Sequence, residues 1–290
     1  MNGIVLIDKP RGVTSFKVTA SVRKKLNQKR VGHAGTLDPM ATGVLPVMVG
    51  QAARLTDLLP SQQKRYVAEF MLGMTTDTLD CEGEVLTDQP VNCTKDDVLA
   101  VINSFVGEIT QVPPMYSALK KDGVRLYDLA RQGIEVKREK RTVTIYSIDL
   151  TDCGDDRYTI DVLCSKGTYI RTLIDDIGLK LGCGAFMTAL RRTQSNGFDI
   201  SQCIPLDEFM QSDIKDTVKS PEYGLMQYPE VVVTSPQAVR FKNGGELDLN
   251  RLKVNNLQGY LRVYGPDNFI GLGEVLDEKG VLKPKCVFSE

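Results

Sequence analysis

The chain has 290 residues, 42% of them apolar and 25% charged, with a net charge of −1. That length suits two domains, or one large domain with an appendage, and the composition excludes a disordered chain. The apolar run in MNGIVLIDKP is far too short for a signal peptide, and nowhere do about 18 apolar residues follow one another, so a cytoplasmic protein without membrane association is expected.

Seven scattered cysteines with no C-x-x-C pair, beside a single histidine, leave no recognisable zinc ligand set. They read as reduced, mostly buried thiols acting as small apolar filler. Charge is unevenly placed: residues 1 to 65 hold eleven Lys and Arg against Asp8, Asp38 and Asp57, a local balance of +8. Such a basic segment points to a polyanionic partner, although Arg23, Lys24, Lys25, Lys29 and Arg30 also fit a solvated helix surface.

In chain order, Gly3 to Asp8 is apolar enough for a buried strand, and Lys9-Pro10-Arg11-Gly12 ends it with a turn. Thr14 or Ser15 can cap a helix whose Val18, Val22 and Leu26 share one stripe. After the loop around Asp38, Val44 to Val49 reads as a strand and Ala52 to Leu59 as a short helix. Lys64 to Leu72 alternates, placing Tyr66, Ala68, Phe70 and Leu72 on one face. Residues 77 to 97 are acidic and rich in turns, and a helix is expected from Thr94 to Phe105.

Lys120-Lys121-Asp122-Gly123 reads as a hairpin turn, and Lys137 to Arg141 as a second phosphate-facing cluster. Strands over Thr142 to Leu150 and Arg157 to Leu163 flank a turn at Gly154. Ser165 to Thr168 then starts a helix with Tyr169, Ile170 and Arg171 in its first turn, where free amides favour anions. Arg171 could equally pair with Asp175 or Asp176. Ala185 to Arg192 is the next expected strand. From Pro229 onward, short strands separated by Gly, Asn and Pro suggest an all-β, barrel-like module of some 60 residues.

Chemistry concentrates in GHAGTLDPMATGVLP, Gly32 to Pro46, which holds the only histidine and one carboxylate among small residues. Asp38 has no second carboxylate in the loop, so the two-carboxylate template of glycoside hydrolysis is not visible. A lone Asp before Pro is commonly a turn residue. Its company of candidate stacking rings, an arginine at a helix start and basic surfaces instead fits extrusion of a base from RNA.

The loop, the IDKPRGVTSF opening, KRYVAEFMLG with TDTLDCEGEV, VPPMYSALKKDGVRLYDLAR and CSKGTYIRTLIDDIG together resemble the successive motifs of the bacterial tRNA pseudouridine synthase B (TruB) family. They span most of residues 2 to 195, and the C-terminal module is similar to that family's PUA-like domain. The resemblance implies an α+β pseudouridine synthase fold over residues 1–229, with a mixed, mainly antiparallel sheet. A small PUA-like β-barrel that binds RNA would follow over residues 230–290.

The implied reaction isomerises uridine 55 in the tRNA T loop to pseudouridine, with no cofactor, no metal and no obligate protein partner. Asp38 is the implied nucleophile, Arg171 its ionic partner, and Tyr66 the ring that stacks on the flipped uracil and takes its C5 proton. Tyr169 and Leu190 would line the uracil pocket, and His33 would fill the gap left by the extruded base. Lys9-Pro10 would pack beneath the loop. A tRNA-folding chaperone, alone or alongside catalysis, and a base-releasing nucleoside hydrolase are the alternatives from other classes.

Overall fold

The computed structural model describes residues 1–117, 119–121, 123–154, 157–252 and 258–288. Strand β1 (Gly3–Lys9) is covered on both faces, which is why its sequence runs apolar instead of alternating. Helix α1 (Ser15–Leu26) starts where the Thr14 hydroxyl accepts the Lys17 amide, buries Val18, Val22 and Leu26, and ends at Asn27 in the left-handed region. Strands β2 (Val31–His33) and β3 (Thr42–Val49) flank the Asp38 loop. The short helix expected over Ala52 to Leu59 is a 3-10 helix over Gly50–Leu55. Pro60 disfavours helical backbone at Leu59, and the Leu58 amide closes a tight turn on Leu55.

Strand β4 (Lys64–Leu72) turns Tyr66, Ala68, Phe70 and Leu72 inward, matching its alternation. The hairpin of β5 (Met74–Thr76) and β6 (Val85–Asp88) leads to α2 (Lys95–Asn103), where Thr94 and Asp97 cap reciprocally. Next come β7 (Gly107–Gln111), β8 (Lys120–Lys121), β9 (Val124–Arg125) and α3 (Leu126–Ala130); Asp122 of the expected turn lies outside the described residues. Strands β10 (Arg141–Gly154) and β11 (Arg157–Cys164) pair antiparallel, and residues 155–156 of their connection are likewise outside the description. Helix α4 (Ile170–Leu181) and strand β12 (Ala185–Ser195) follow, then β13 (Phe198–Asp199), β14 (Ile204–Pro205), α5 (Leu206–Gln211) and α6 (Ile214–Thr217).

Ten of these strands form one sheet in the order β14-β1-β3-β12-β4-β11-β10-β7, with β2 on β3 and β13 on β12. Its β1–β14 and β3–β12 contacts are parallel and the rest antiparallel. Helices α2 and α4 cover one core, which contains Phe70, Ile145, Ile160 and Leu173. Val18 and Val22 of α1 and Phe209 of α5 join a separate core with Ile7 and Leu45 of the sheet.

The C-terminal unit comprises β15 (Glu230–Val232), α7 (Ser235–Lys242), β16 (Leu247–Asp248), β17 (Tyr260–Tyr264), β18 (Phe269–Leu276) and β19 (Val281–Val287). Its five strands form a curled half-barrel ordered β15-β17-β18-β19-β16. The module is not all-β as expected, because α7 lies across it and buries Phe241 among Val231, Leu261 and Leu282. Thr234-Ser235-Pro236-Gln237 carries the signal for that helix, a capping box with proline in the first turn. Leu272, Cys286 and Phe288 share a core with Ile4, Leu6 and Met48, so the two sheets meet through apolar contact.

Candidate active site

The loop between β2 and β3 is clamped from both sides. Beneath it, the Ser15 hydroxyl donates to the Leu37 carbonyl and accepts the Leu37 amide, both at 2.9 Å. The Gly12 amide donates to the Pro39 carbonyl at 2.8 Å, and Lys9 Nζ reaches the same oxygen at 3.2 Å as well as Val13 O at 2.6 Å. Lys9 is fully buried, and burial pushes its ammonium down to about 8 despite the pull of Asp38. It is a structural strut under the loop, and Pro10 lends it a further carbonyl at 2.9 Å.

From the sheet side, Arg192 is wholly buried and donates to Val44 O at 2.8 Å, Gly35 O at 3.1 Å and Thr36 O at 3.3 Å. A buried arginine needs partners for its five donors, and here three backbone carbonyls around the loop take three of them. The loop leading to Asp38 is thereby tied to β12.

Arg171 comes from the first turn of α4. Its Nη2 lies 2.9 Å from Asp38 Oδ2 and donates to the Tyr116 carbonyl at 2.7 Å; its Nη1 lies 3.3 Å from Asp80 Oδ2 and donates to Thr78 O at 3.0 Å. The partners are therefore Asp38 and Asp80, not Asp175 or Asp176. Asp80 itself is buried, and its Oδ1 accepts the Thr78 hydroxyl at 2.7 Å and the Glu82 amide at 3.0 Å. Two carboxylates thus flank one buried guanidinium, and only Asp38, with a side chain 36% exposed, opens toward solvent.

Tyr66 is buried opposite Arg192 in the β4–β12 register. Burial holds its hydroxyl above the ordinary tyrosine range, against the pull of the Arg192 cation and its hydrogen bond. Leu190, also on β12, packs in one core with Leu37, Met40, Tyr66 and Ile170. Tyr169 caps α4, its backbone held by the Gln111 amide group through bonds of 3.0 and 3.2 Å. Burial raises its hydroxyl too, and Asp38, Arg171, Arg141 and Ser117 all act on it. Asp38, Tyr66, Arg171, Tyr169 and Leu190 consequently share one site.

His33 lies on β2 opposite Val47, beyond the loop. Burial, then the Arg192 charge, lowers its ring below the usual 6.5, so it is neutral at pH 7. Sequence reasoning overlooked Asp80, hidden in a stretch read only as acidic and rich in turns, and Arg192, read as the end of a strand. It also treated all cysteines as filler, whereas Cys81, the residue after Asp80, is exposed and meets Arg11 Nη2 at 4.0 Å. Among the described residues no cluster of three His, Cys, Asp or Glu side chains is arranged to hold a metal ion, and no helix is long and apolar enough to cross a membrane.

Comparison with known proteins accounts for nearly the whole chain. Residues 23–170 match the model of the TruB family pseudouridylate synthase N-terminal domain, residues 171–226 a tRNA pseudouridylate synthase B C-terminal domain, and residues 229–288 a pseudouridine synthase II TruB C-terminal domain. The chain belongs to the TruB family. Its relatives include the tRNA pseudouridine synthase B of Clostridium perfringens strain 13, 46% identical with all of both chains covered. That of Azoarcus sp. strain BH72 is 42% identical over all of this chain and 95% of its own.

Among solved structures, an H/ACA RNP bound to a substrate RNA containing 2'-deoxyuridine aligns with a TM-score of 0.75 and 25% identity. That match covers 99% of this chain and 85% of the other. A Cbf5-Nop10-Gar1 complex aligns at 0.73 with 28% identity, covering 99% and 84%. The pseudouridine synthase fold of the TruB enzymes, with its C-terminal half-barrel, is thus the fold of this chain.

Proposed function

We propose that the protein converts uridine 55 of the tRNA T loop to pseudouridine, with Asp38 as nucleophile. The observation that carries this reading is the Asp38 carboxylate held 2.9 Å from a buried arginine beside Tyr66, in a chain whose relatives are named tRNA pseudouridine synthase B. In the isomerisation the N1–C1′ bond breaks, the ring turns and C5 bonds to C1′; the C5 proton leaves and N1 gains one, so no oxidant or hydrolytic water is consumed. A carboxylate nucleophile can drive this without a cofactor. Arg171 keeps Asp38 oriented through a charge-assisted bond.

Tyr66 offers a ring to stack on the extruded uracil and a hydroxyl that, kept protonated by burial, takes the C5 proton as it gives its own up to water; Tyr169 and Leu190 line the pocket, and His33 takes the place the base left in the RNA. The unit from residue 230 onward serves as an RNA-binding domain beside the catalytic domain of residues 1–229. The protein works in the cytoplasm on free tRNA, without an obligate protein partner. The test is incubation with unmodified tRNA transcript followed by digestion to nucleosides and mapping of the product. Pseudouridine at position 55, absent with Asp38→Asn at undiminished tRNA binding, supports the reading. Release of free uracil would overturn it in favour of a hydrolase.

A further inference from the structure

Beside the site lies a group of cations for which the described residues show no ion pair. Lys64 opens β4 on the face that carries Tyr66, two residues away and so about 6.7 Å along the strand. A Cβ on Gly35 would lie 3.2 Å from Lys64 Nζ and 3.5 Å from Arg192 Nη1, so the ammonium and the guanidinium converge over that glycine. Lys166 is exposed in the turn before α4, two residues beyond Cys164, which pairs with Lys64 in the β11–β4 register, and its charge acts on Lys64; the His33 ring feels both Arg192 and Lys64. Among the described residues, no ion pair involves Lys64, Lys166 or Arg192. Arg65, next in sequence and on the opposite face, has Asp161 at 2.7 Å. Burial, and then repulsion from Arg192, pushes Lys64 down to about 8. Such a cluster is unfavourable until an anion joins it.

We propose that Lys64 and Lys166, backed by the charge of Arg192, form a subsite for one phosphodiester flanking the nucleotide held between Asp38 and Tyr66. This rests on reading the protein as an RNA-modifying enzyme. The spacing from Tyr66 to Lys64 along β4 is of the same order as the reach from a base to its own backbone phosphate. Arg192 commits three of its five N–H groups to Val44, Gly35 and Thr36 and shares a hydrogen bond with the Tyr66 hydroxyl, so it acts mainly through its charge while the two lysines supply the contacts. Gly35 leaves the floor of the subsite free of a side chain. A phosphate gripped here fixes the neighbouring sugar relative to Asp38, and base identity plays no part.

The experiment uses T stem-loop hairpins in which single linkages around the target uridine are replaced by uncharged methylphosphonates. Dissociation constants are measured for the wild type, Lys64→Gln and Lys64→Arg. At one flanking linkage, neutralisation should weaken wild-type binding roughly tenfold and weaken Lys64→Gln no further. The slope of log affinity against log salt should fall by about 0.7 in Lys64→Gln, and Lys64→Arg should restore most of both effects. Equal penalties in wild type and Lys64→Gln at every linkage overturn the proposal. Pseudouridine formation in the unmodified hairpin is followed in parallel. If the wild type forms none while the linkage-specific effect persists, the functional reading fails and the phosphate subsite stands.

Discussion

The Asp38 carboxylate and the Arg171 guanidinium meet at 2.9 Å across a boundary of burial, the arginine side chain 6% exposed and the aspartate 36%. A charge as deeply placed as Arg171 must keep an anion beside it whether or not substrate is bound. Asp80, equally buried, meets that need from the protein side. Asp38 is thus oriented by an ion pair whose cation does not depend on it alone, and its other side opens to solvent.

Tyr66→Phe should separate stacking from proton transfer. The ring and its core contacts stay, and Arg192 keeps its three backbone carbonyls but loses the Tyr66 hydroxyl, so a stability cost of about 1–3 kcal/mol is expected. If the hydroxyl accepts the C5 proton, the single-turnover rate should fall roughly a hundredfold or more, with tRNA affinity nearly unchanged. A wild-type rate at saturating enzyme would leave the hydroxyl without a chemical role.

His33→Ala should behave differently. As a neutral ring that only occupies vacated space, His33 should contribute the ~1–3 kcal/mol typical of a base-stacking contact. Weaker binding with slow but measurable turnover is expected. A His33→Ala protein that binds tRNA normally and is as inactive as Asp38→Asn would place the imidazole in the chemistry.

Local patterns in the sequence carried the Thr14 cap, the alternation of β4 and the helix that has Arg171 in its first turn, since each is written within a few neighbouring residues. What escaped was set by distant partners. Nothing near Arg192 in sequence reveals that it ends against Gly35, and nothing near Asp80 reveals that the turn after β5 folds onto α4. The resemblance supplied roles for Asp38, Tyr66 and His33, but the pairing that sets Lys64 beside Arg192 and Lys166, with no ion pair among the described residues, exists only once β4, β11 and β12 lie side by side.

Asp176 on α4 predicts a pH effect. Burial, reinforced by Asp175, pushes its carboxyl from 3.8 up to about 6. The folded state therefore holds this proton more tightly than the unfolded one. The resulting stability is fully present below about pH 4 and is lost as pH rises through about 6. Asp176→Asn should be more stable than wild type at pH 7 by about 1 kcal/mol, a figure discounted for partial exposure, and should lose that advantage near pH 4. Urea titrations at the two pH values read it directly; no gain at pH 7 would contradict the burial argument.

Asp80→Asn tests whether the second carboxylate positions the first. In the wild type one Asp80 oxygen accepts the Thr78 hydroxyl and the Glu82 amide while the other faces Arg171. An asparagine has one acceptor oxygen, so either orientation of its amide turns a donor toward another donor. The expected cost is about 1–3 kcal/mol of stability, because a buried donor is left without its acceptor. If Arg171 then shifts by even about 1 Å, Asp38 loses its attack geometry and the single-turnover rate should fall roughly a hundredfold, with tRNA binding preserved. Asp80→Glu restores the charge at a different length, so partial recovery of rate is expected from it. Thermal unfolding, binding and single-turnover assays on the two variants decide the matter. An Asp80→Asn enzyme that loses stability but retains its full rate would make Asp80 a purely structural partner of Arg171.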